Sequence, residues 1–353
     1  MTSGKDRELC AFGASVLLKH LQALETEMQG VRSGGEDIEY IHRMRVATRR
    51  LRAALPLFET CLPARQRPVW LKEIRKITRA MGAARDADVQ IAHLQAYASG
   101  LKDPLQQRGV ARLLLRLRQR RESLQPEVLH ALDRFAASGA LPAMRAALEP
   151  MAAASAGPPF SHALYRHAAD SIQPRLDEFL AYDAIVSRPE AVAELHAMRI
   201  AAKRLRYTLE TFSPLYASGL KPWLPAIRQA QEALGNIHDC DVWGQFIPAF
   251  IAEERARVTA FYGNPRPFRR LLPGIEGYLA DRAAERQRAY TEFVEQWNAW
   301  QRKGFWQQLA EAIRQPLLEA HRLYPPPPGA AAEDEKSGAP PSDGNAPEDA
   351  SYR

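Results

Sequence analysis

Apolar residues recur along this chain at three- and four-residue spacing over long stretches, and no alternating apolar–polar run of useful length interrupts them. That period is the helical one, so the chain is predicted to be all-α. Helices are expected near residues 6–29, 38–61, 65–83, 86–99, 105–123 and 126–150, then near 160–181, 189–217, 222–236, 239–261, 268–298 and 303–323. Breakers stand between them at Gly34-Gly35, Gly157-Pro158-Pro159 and Gly263-Asn264-Pro265. The Asn-Gly and Asp-Gly pairs that close β-hairpins are missing from the body, and Asp343-Gly344 falls in the last segment.

The pattern repeats. His42 to Phe58 reads HRMRVATRRLRAALPLF and His196 to Phe212 reads HAMRIAAKRLRYTLETF, with nine of seventeen positions identical at an offset of 154. A second block, WLKEIRKITRAMGAARDADV from Trp70, aligns with WLPAIRQAQEALGNIHDCDV from Trp223, with nine of twenty identical at an offset of 153. A period this long exceeds those of solenoid repeats and reads as a duplicated helical bundle. Two pseudo-symmetric halves are therefore expected within residues 5–323, about 5–155 and 158–323, joined at Gly157-Pro158-Pro159.

On a helix, Met44, Ala47, Leu51, Leu55 and Phe58 form one apolar stripe, which must face the core. His42, Arg45, Arg49 and Arg52 form a second stripe away from it. The second copy repeats both, with Met198, Leu205, Leu209 and Phe212 on one side and His196, Arg199, Lys203 and Arg206 on the other. Arg50 and Arg204 lie off both stripes but add to the basic rows. Like charges at this spacing repel by about 0.2–0.5 kcal/mol per pair, so an ordinary solvated face mixes signs. A repeated, all-basic stripe instead points to an anion as its partner. The next helix sets Trp70, Ile74, Ile77 and Met81 against Lys72, Arg75, Lys76 and Arg79. Its second copy keeps Arg228 but has Gln229 and Glu232 where the first has Lys76 and Arg79, so the first half should bind more strongly. Arg108, Arg112 and Arg116 follow at four-residue spacing in a further basic helix.

Each second block ends in a Gly-to-Asp segment, Gly82 to Asp88 with Arg85 and Asp86, and Gly235 to Asp241 with His238 and Asp239. Glycine suits a helix C-terminus and Asp the next N-cap, so a joint between two helices is expected at each. A supporting role is also open to these aspartates, pairing with stripe arginines and orienting them. A metal held by Asp86/Asp88 or Asp239/Asp241 is the enzymatic alternative, but no second His stands at ligand spacing. Gly-rich phosphate loops, His-Glu-x-x-His and Gly-x-Ser-x-Gly are likewise missing. No catalytic residue, metal or cofactor is expected.

Composition sharpens the picture. From Pro325 onward the chain has six acidic and two basic residues, so this tail carries −4 of the net +7 and residues 1–324 carry +11. Poor in large apolar residues, residues 324–353 are expected to be disordered. A basic body of this kind attracts phosphate polymers, nucleic acids or acidic membranes. No apolar run is long enough to span a bilayer, and MTSGKDRELC lacks the layout of a secretory signal, so a soluble cytoplasmic protein is expected. Cys10, Cys61 and Cys240 are far apart and odd in number, and they are expected to be small buried hydrophobes rather than bonded pairs.

The segments His42-x-Met-Arg45 to Arg52 and Gly82-x-x-Arg85-Asp86-x-Asp88, with their second copies, resemble the CHAD domain, the histidine-containing α-helical family, over most of residues 5–323. The resemblance implies two pseudo-symmetric bundles that bind inorganic polyphosphate, often on cytoplasmic polyphosphate granules. By motif position it puts phosphate-binding roles on His42, Arg45, Arg49, Arg52, Arg75 and Arg79, and on His196, Arg199, Lys203, Arg206 and Arg228. The Glu-x-Glu-x-Lys mark of the triphosphate-processing domain fused to some relatives is missing from the body. The residues themselves agree: single-stranded nucleic-acid binders interleave aromatics among their basic residues, and neither motif helix offers an aromatic ladder. The leading expectation is a non-catalytic polyphosphate binder, with the tail free to engage a partner. RNA or DNA binding and metal-dependent hydrolysis remain the alternatives.

Overall fold

The computed structural model describes residues 4–32, 39–154, 160–216 and 219–323. Eleven α-helices and four short 3-10 turns make up its regular structure, and no strand occurs among the described residues. The helices are α1 (Gly4–Arg32), α2 (Glu39–Leu57), α3 (Arg67–Ala80), α4 (Gly82–Ser99), α5 (Pro104–Ala137) and α6 (Ala140–Ala152). After them come α7 (His162–Leu180), α8 (Val192–Phe212), α9 (Trp223–Tyr262), α10 (Leu272–Arg302) and α11 (Phe305–Leu323). The expected junction at residues 157–159, the Gly34-Gly35 breaker and the tail lie outside the described residues.

Three expected breaks fall elsewhere. The helix expected to stop near residue 123 runs through Pro126 to Ala137, and the break comes at Gly139, whose φ of 67° suits glycine. No joint interrupts the second copy at Gly235, because α9 continues from Trp223 to Tyr262. In the first copy the joint exists, but it sits one residue earlier, at Met81 between α3 and α4. Asp86 and Asp239 consequently lie inside helices and cap nothing.

The apolar stripes are buried as their spacing requires: Met44, Leu51 and Phe58, and Met198, Leu205 and Phe212, all have 0% exposure. They feed two cores, one gathering α1, α2, α3, α6 and the end of α5, the other α7, α8, α11 and parts of α9 and α10. A third core joins Leu94, Val110, Leu113 and Leu117 to Trp243, Ile247, Phe250, Ile275 and Tyr278, so it draws on both sides of residue 157. Where α5 meets α10 the backbones touch. A Cβ on Gly109 would lie 2.1 Å from the Leu271 carbonyl oxygen, and one on Gly274 would lie 2.0 Å from that of Gln106.

Cys10 and Cys61 form a disulfide with Cα atoms 5.1 Å apart, which corrects the expectation of three unbonded thiols. They stand 51 residues apart, and only the folding of α1 against the turn after α2 brings them together. Spacing along the chain carries no trace of that contact. Cys240 is free and buried, as expected.

Candidate functional site

The two basic stripes meet, because α2 of the first half packs against α8 of the second. His42, Arg49, Arg50 and Arg52 are half-buried there, as are His196, Arg199, Lys203 and Arg206, while Arg204 is exposed. Arg45, expected on the open stripe, is buried at 7% exposure and donates a hydrogen bond from Nη1 to the Thr78 carbonyl, 3.3 Å away. The glycines of the second block explain how arginines fit so deep. A Cβ on Gly82 would stand 3.2 Å from Arg45 Nη1, and one on Gly235 would stand 3.7 Å from Arg199 Nε. At equivalent places in the two copies, glycine leaves room for a guanidinium to lie over a helix.

Around Lys203 the electrostatics are one-sided. Burial, then the guanidiniums of Arg199, Arg49, Arg52 and Arg204, bring the Lys203 pKa down to about 8. Arg49 and Arg52 belong to α2 and Lys203 to α8, so cations from both halves share one place. No carboxylate lies within ion-pair distance of Arg45, Arg199 or Lys203 among the described residues. Burial, then Arg199, His196 and Lys203, push His238 down to about 4. His196 and His42 are lowered as well, first by burial and then by Arg199 and Arg85 respectively. The Nδ1 atoms of His196 and His238 stand 3.0 Å apart, so one of them carries the hydrogen the other accepts. Asp86 and Asp239 are open to solvent on part of their surface, while neighbouring protein displaces water from the rest. Burial raises both pKa values, against lowering by Arg45, Arg120, Arg85 and Arg199 at Asp86 and by Arg199 at Asp239.

Other predicted residues are placed differently. On α3, Lys72, Arg75, Lys76 and Arg79 are exposed; Lys76 pairs with Glu73 at 2.7 Å, whereas Lys72, Arg75 and Arg79 have no ion-pair partner among the described residues. Glu210 gathers Arg50 at 3.4 Å and Arg206 and Arg228 at 3.8 Å, tying α2 to the second half. Arg204 pairs with Glu178. Asp88 receives Arg121 at 2.7 Å and Asp241 receives Arg286 at 2.5 Å, so each carboxylate holds an arginine of a later helix in its own half, not one of a stripe. Sequence reasoning missed Arg120, Arg121, Glu210 and Arg286. The first two and the last fall outside the aligned blocks, and Glu210 differs between copies, with Pro56 in its place.

Chemically, the seam offers fixed positive charge and hydrogen-bond donors. Tyr207, the aromatic beside the second stripe, is 6% exposed with the Arg206 guanidinium 5.0 Å from its ring centre, so it presents no stacking face to a base. Among the described residues, no group of three or more His, Cys, Asp and Glu is placed to hold a metal ion, and no helix is long and apolar enough to cross a membrane.

The sequence profile described as CHAD domain matches residues 15–248. Among solved structures, the CHAD domain from the plant Ricinus communis superposes with a TM-score of 0.61 at 24% identity, covering 85% of this chain and 94% of that one. PptA from Streptomyces chartreusis gives a TM-score of 0.49 at 18% identity, covering 84% of this chain and 100% of that one. No curated protein matches. With the profile matched over well more than half its length, and with the fold shared, this chain belongs to the CHAD-domain family, whose members in general bind polyphosphate without catalysing a reaction.

Proposed function

We propose that this protein binds inorganic polyphosphate along the α2/α8 seam, does no chemistry on it, and by that binding associates with polyphosphate granules in the cytoplasm. The observation that carries the reading is the convergence of Lys203 with Arg199, Arg49, Arg52 and Arg204, from both halves, at a place where Lys203 and Arg199 have no carboxylate partner. Cations held so close in partial burial repel one another, and an anion laid between them removes that cost. A linear phosphate chain is uniformly charged and has no bases to read, so it needs point charges and guanidinium forks but no aromatic platform. His42, Arg45 and Arg206 would add donors along the seam, and Lys72, Arg75 and Arg79 a flanking row. The salt bridges of Asp88 and Asp241 favour orienting roles for them over metal binding.

The test is binding of long-chain polyphosphate across a salt series, with single-stranded RNA as competitor. Tight binding that weakens steeply with salt and resists RNA is expected. The double variant Arg199→Ala/Lys203→Ala should lose at least about 100-fold in affinity, taking roughly 1.4 kcal/mol per charge-assisted contact. Unchanged affinity in that variant, or displacement by RNA on equal terms, would sink the reading.

A further inference from the structure

Four arginines of α5, Arg108, Arg112, Arg116 and Arg120, follow one another at four-residue spacing. Neighbours so spaced share a helix face, and at about 1.5 Å per residue the row extends roughly 18 Å. One end of it reaches the seam, where Arg120 acts on the Asp86 carboxylate together with Arg45 and Arg199. At the other end Arg108 lines an open groove of about 480 Å³ with Arg270.

The middle of the row is held in place. Glu254 of α9 is fully buried, and Arg112 and Arg116 reach it at 3.3 and 2.8 Å while keeping 35% and 30% of their side chains exposed. Arg257 shares the same carboxylate at 3.4 Å. Arg257 also pairs with Glu253 at 3.0 Å, so two carboxylates face three guanidiniums and one positive charge is left over, with Arg112 and Arg116 anchored and their outer edges wet. Neither Arg108 nor Arg120 nor Arg270 has a carboxylate within ion-pair distance among the described residues. Anchored at its middle by Glu254, without a carboxylate partner at Arg108 and Arg120, and continuous with the seam through Arg120, the row has the properties of a track rather than of a neutral solvated face.

We infer that the α5 row is a second stretch of polyanion-binding surface: a polyphosphate chain leaving the seam continues along Arg120, Arg116 and Arg112 to the groove at Arg108 and Arg270. This rests on the seam being a polyphosphate site. It makes chain length matter, because a short oligophosphate fills the seam without reaching the row, whereas a long polymer occupies both. The two parts then act on one ligand as linked sites.

The experiment uses the double variant Arg108→Ala/Arg270→Ala, both positions being exposed, against tripolyphosphate and long-chain polyphosphate. Long-chain affinity should fall about tenfold, and the slope of log affinity against log salt should shrink by about 1.4, from roughly 0.7 per lost contact. Tripolyphosphate affinity should not change. Wild-type long-chain affinity and slope in the variant would overturn the inference, and so would equal losses for both ligands. Arg199→Ala/Lys203→Ala, run alongside, should lose both ligands. If the wild type binds neither, the seam reading falls first and the track with it; if it binds both and the α5 variant matches it, only the track falls.

Discussion

At Lys203 the cost of gathering cations can be read from one side chain. Burial and four guanidiniums bring its pKa from 10.5 to about 8. Between those two values the unfolded chain holds more protons than the folded one, so the stability of the free protein should rise with pH across that window. Below about pH 8 both forms are charged and the penalty is present in full. Lys203→Met removes the charge and keeps the length. Its melting temperature at neutral pH should rise by about 3 °C for each kcal/mol recovered, the upward trend above pH 8 should flatten, and polyphosphate affinity should drop. Thermal melts across pH, paired with binding, check all three; a variant less stable than wild type would show that the lysine supports the fold. The basic stripes themselves were legible, because helical period separates them from Met44, Leu51 and Leu205 without any structure. The depth of Arg45 was not. It depends on Gly82 of another helix leaving space for a guanidinium, and spacing within one helix cannot report on its neighbour.

Helices α3 and α4 in the first half correspond by sequence to one unbroken helix, α9, in the second, although Gly82 and Gly235 align. A glycine inside a helix costs only about 1 kcal/mol relative to alanine, and packing along α9 outweighs that. Element type was therefore readable throughout, while element ends were decided by partners. The same holds for the link between α1 and the turn after α2. Closing a loop between cysteines 51 positions apart is worth about 4 kcal/mol by chain entropy. Cys10→Ser/Cys61→Ser should accordingly unfold at a lower temperature than the oxidised protein and match the wild type measured in reductant. Identical melting of oxidised and reduced wild type would show that the link contributes nothing. In a reducing compartment such a bond tends to stand open, so the difference also measures the stability that a reduced form would forgo.

For the molecule as a whole, the third core matters most. Leu94, Val110, Leu113 and Leu117 come from one side of residue 157, and Trp243, Ile247, Phe250 and Tyr278 from the other. Phe12 and Phe58 likewise reach from the first half into the core of the second. The sequence repeat predicted two halves but could not show how they face each other, since no periodicity relates residues on separate helices. Segments 1–156 and 157–353 made separately should each lack cooperative unfolding, and made together they should recover a soluble complex that melts as a unit. Sharp independent melting of either segment would contradict the shared core.

A single half standing alone would carry a wet apolar face, and the repeat makes the same face on another copy a cover of similar shape. Such a pair would come apart on dilution, and with it any seam built from both members. Covalent continuity removes that dependence: the cations of α2 and α8 stay opposite one another however few molecules are present.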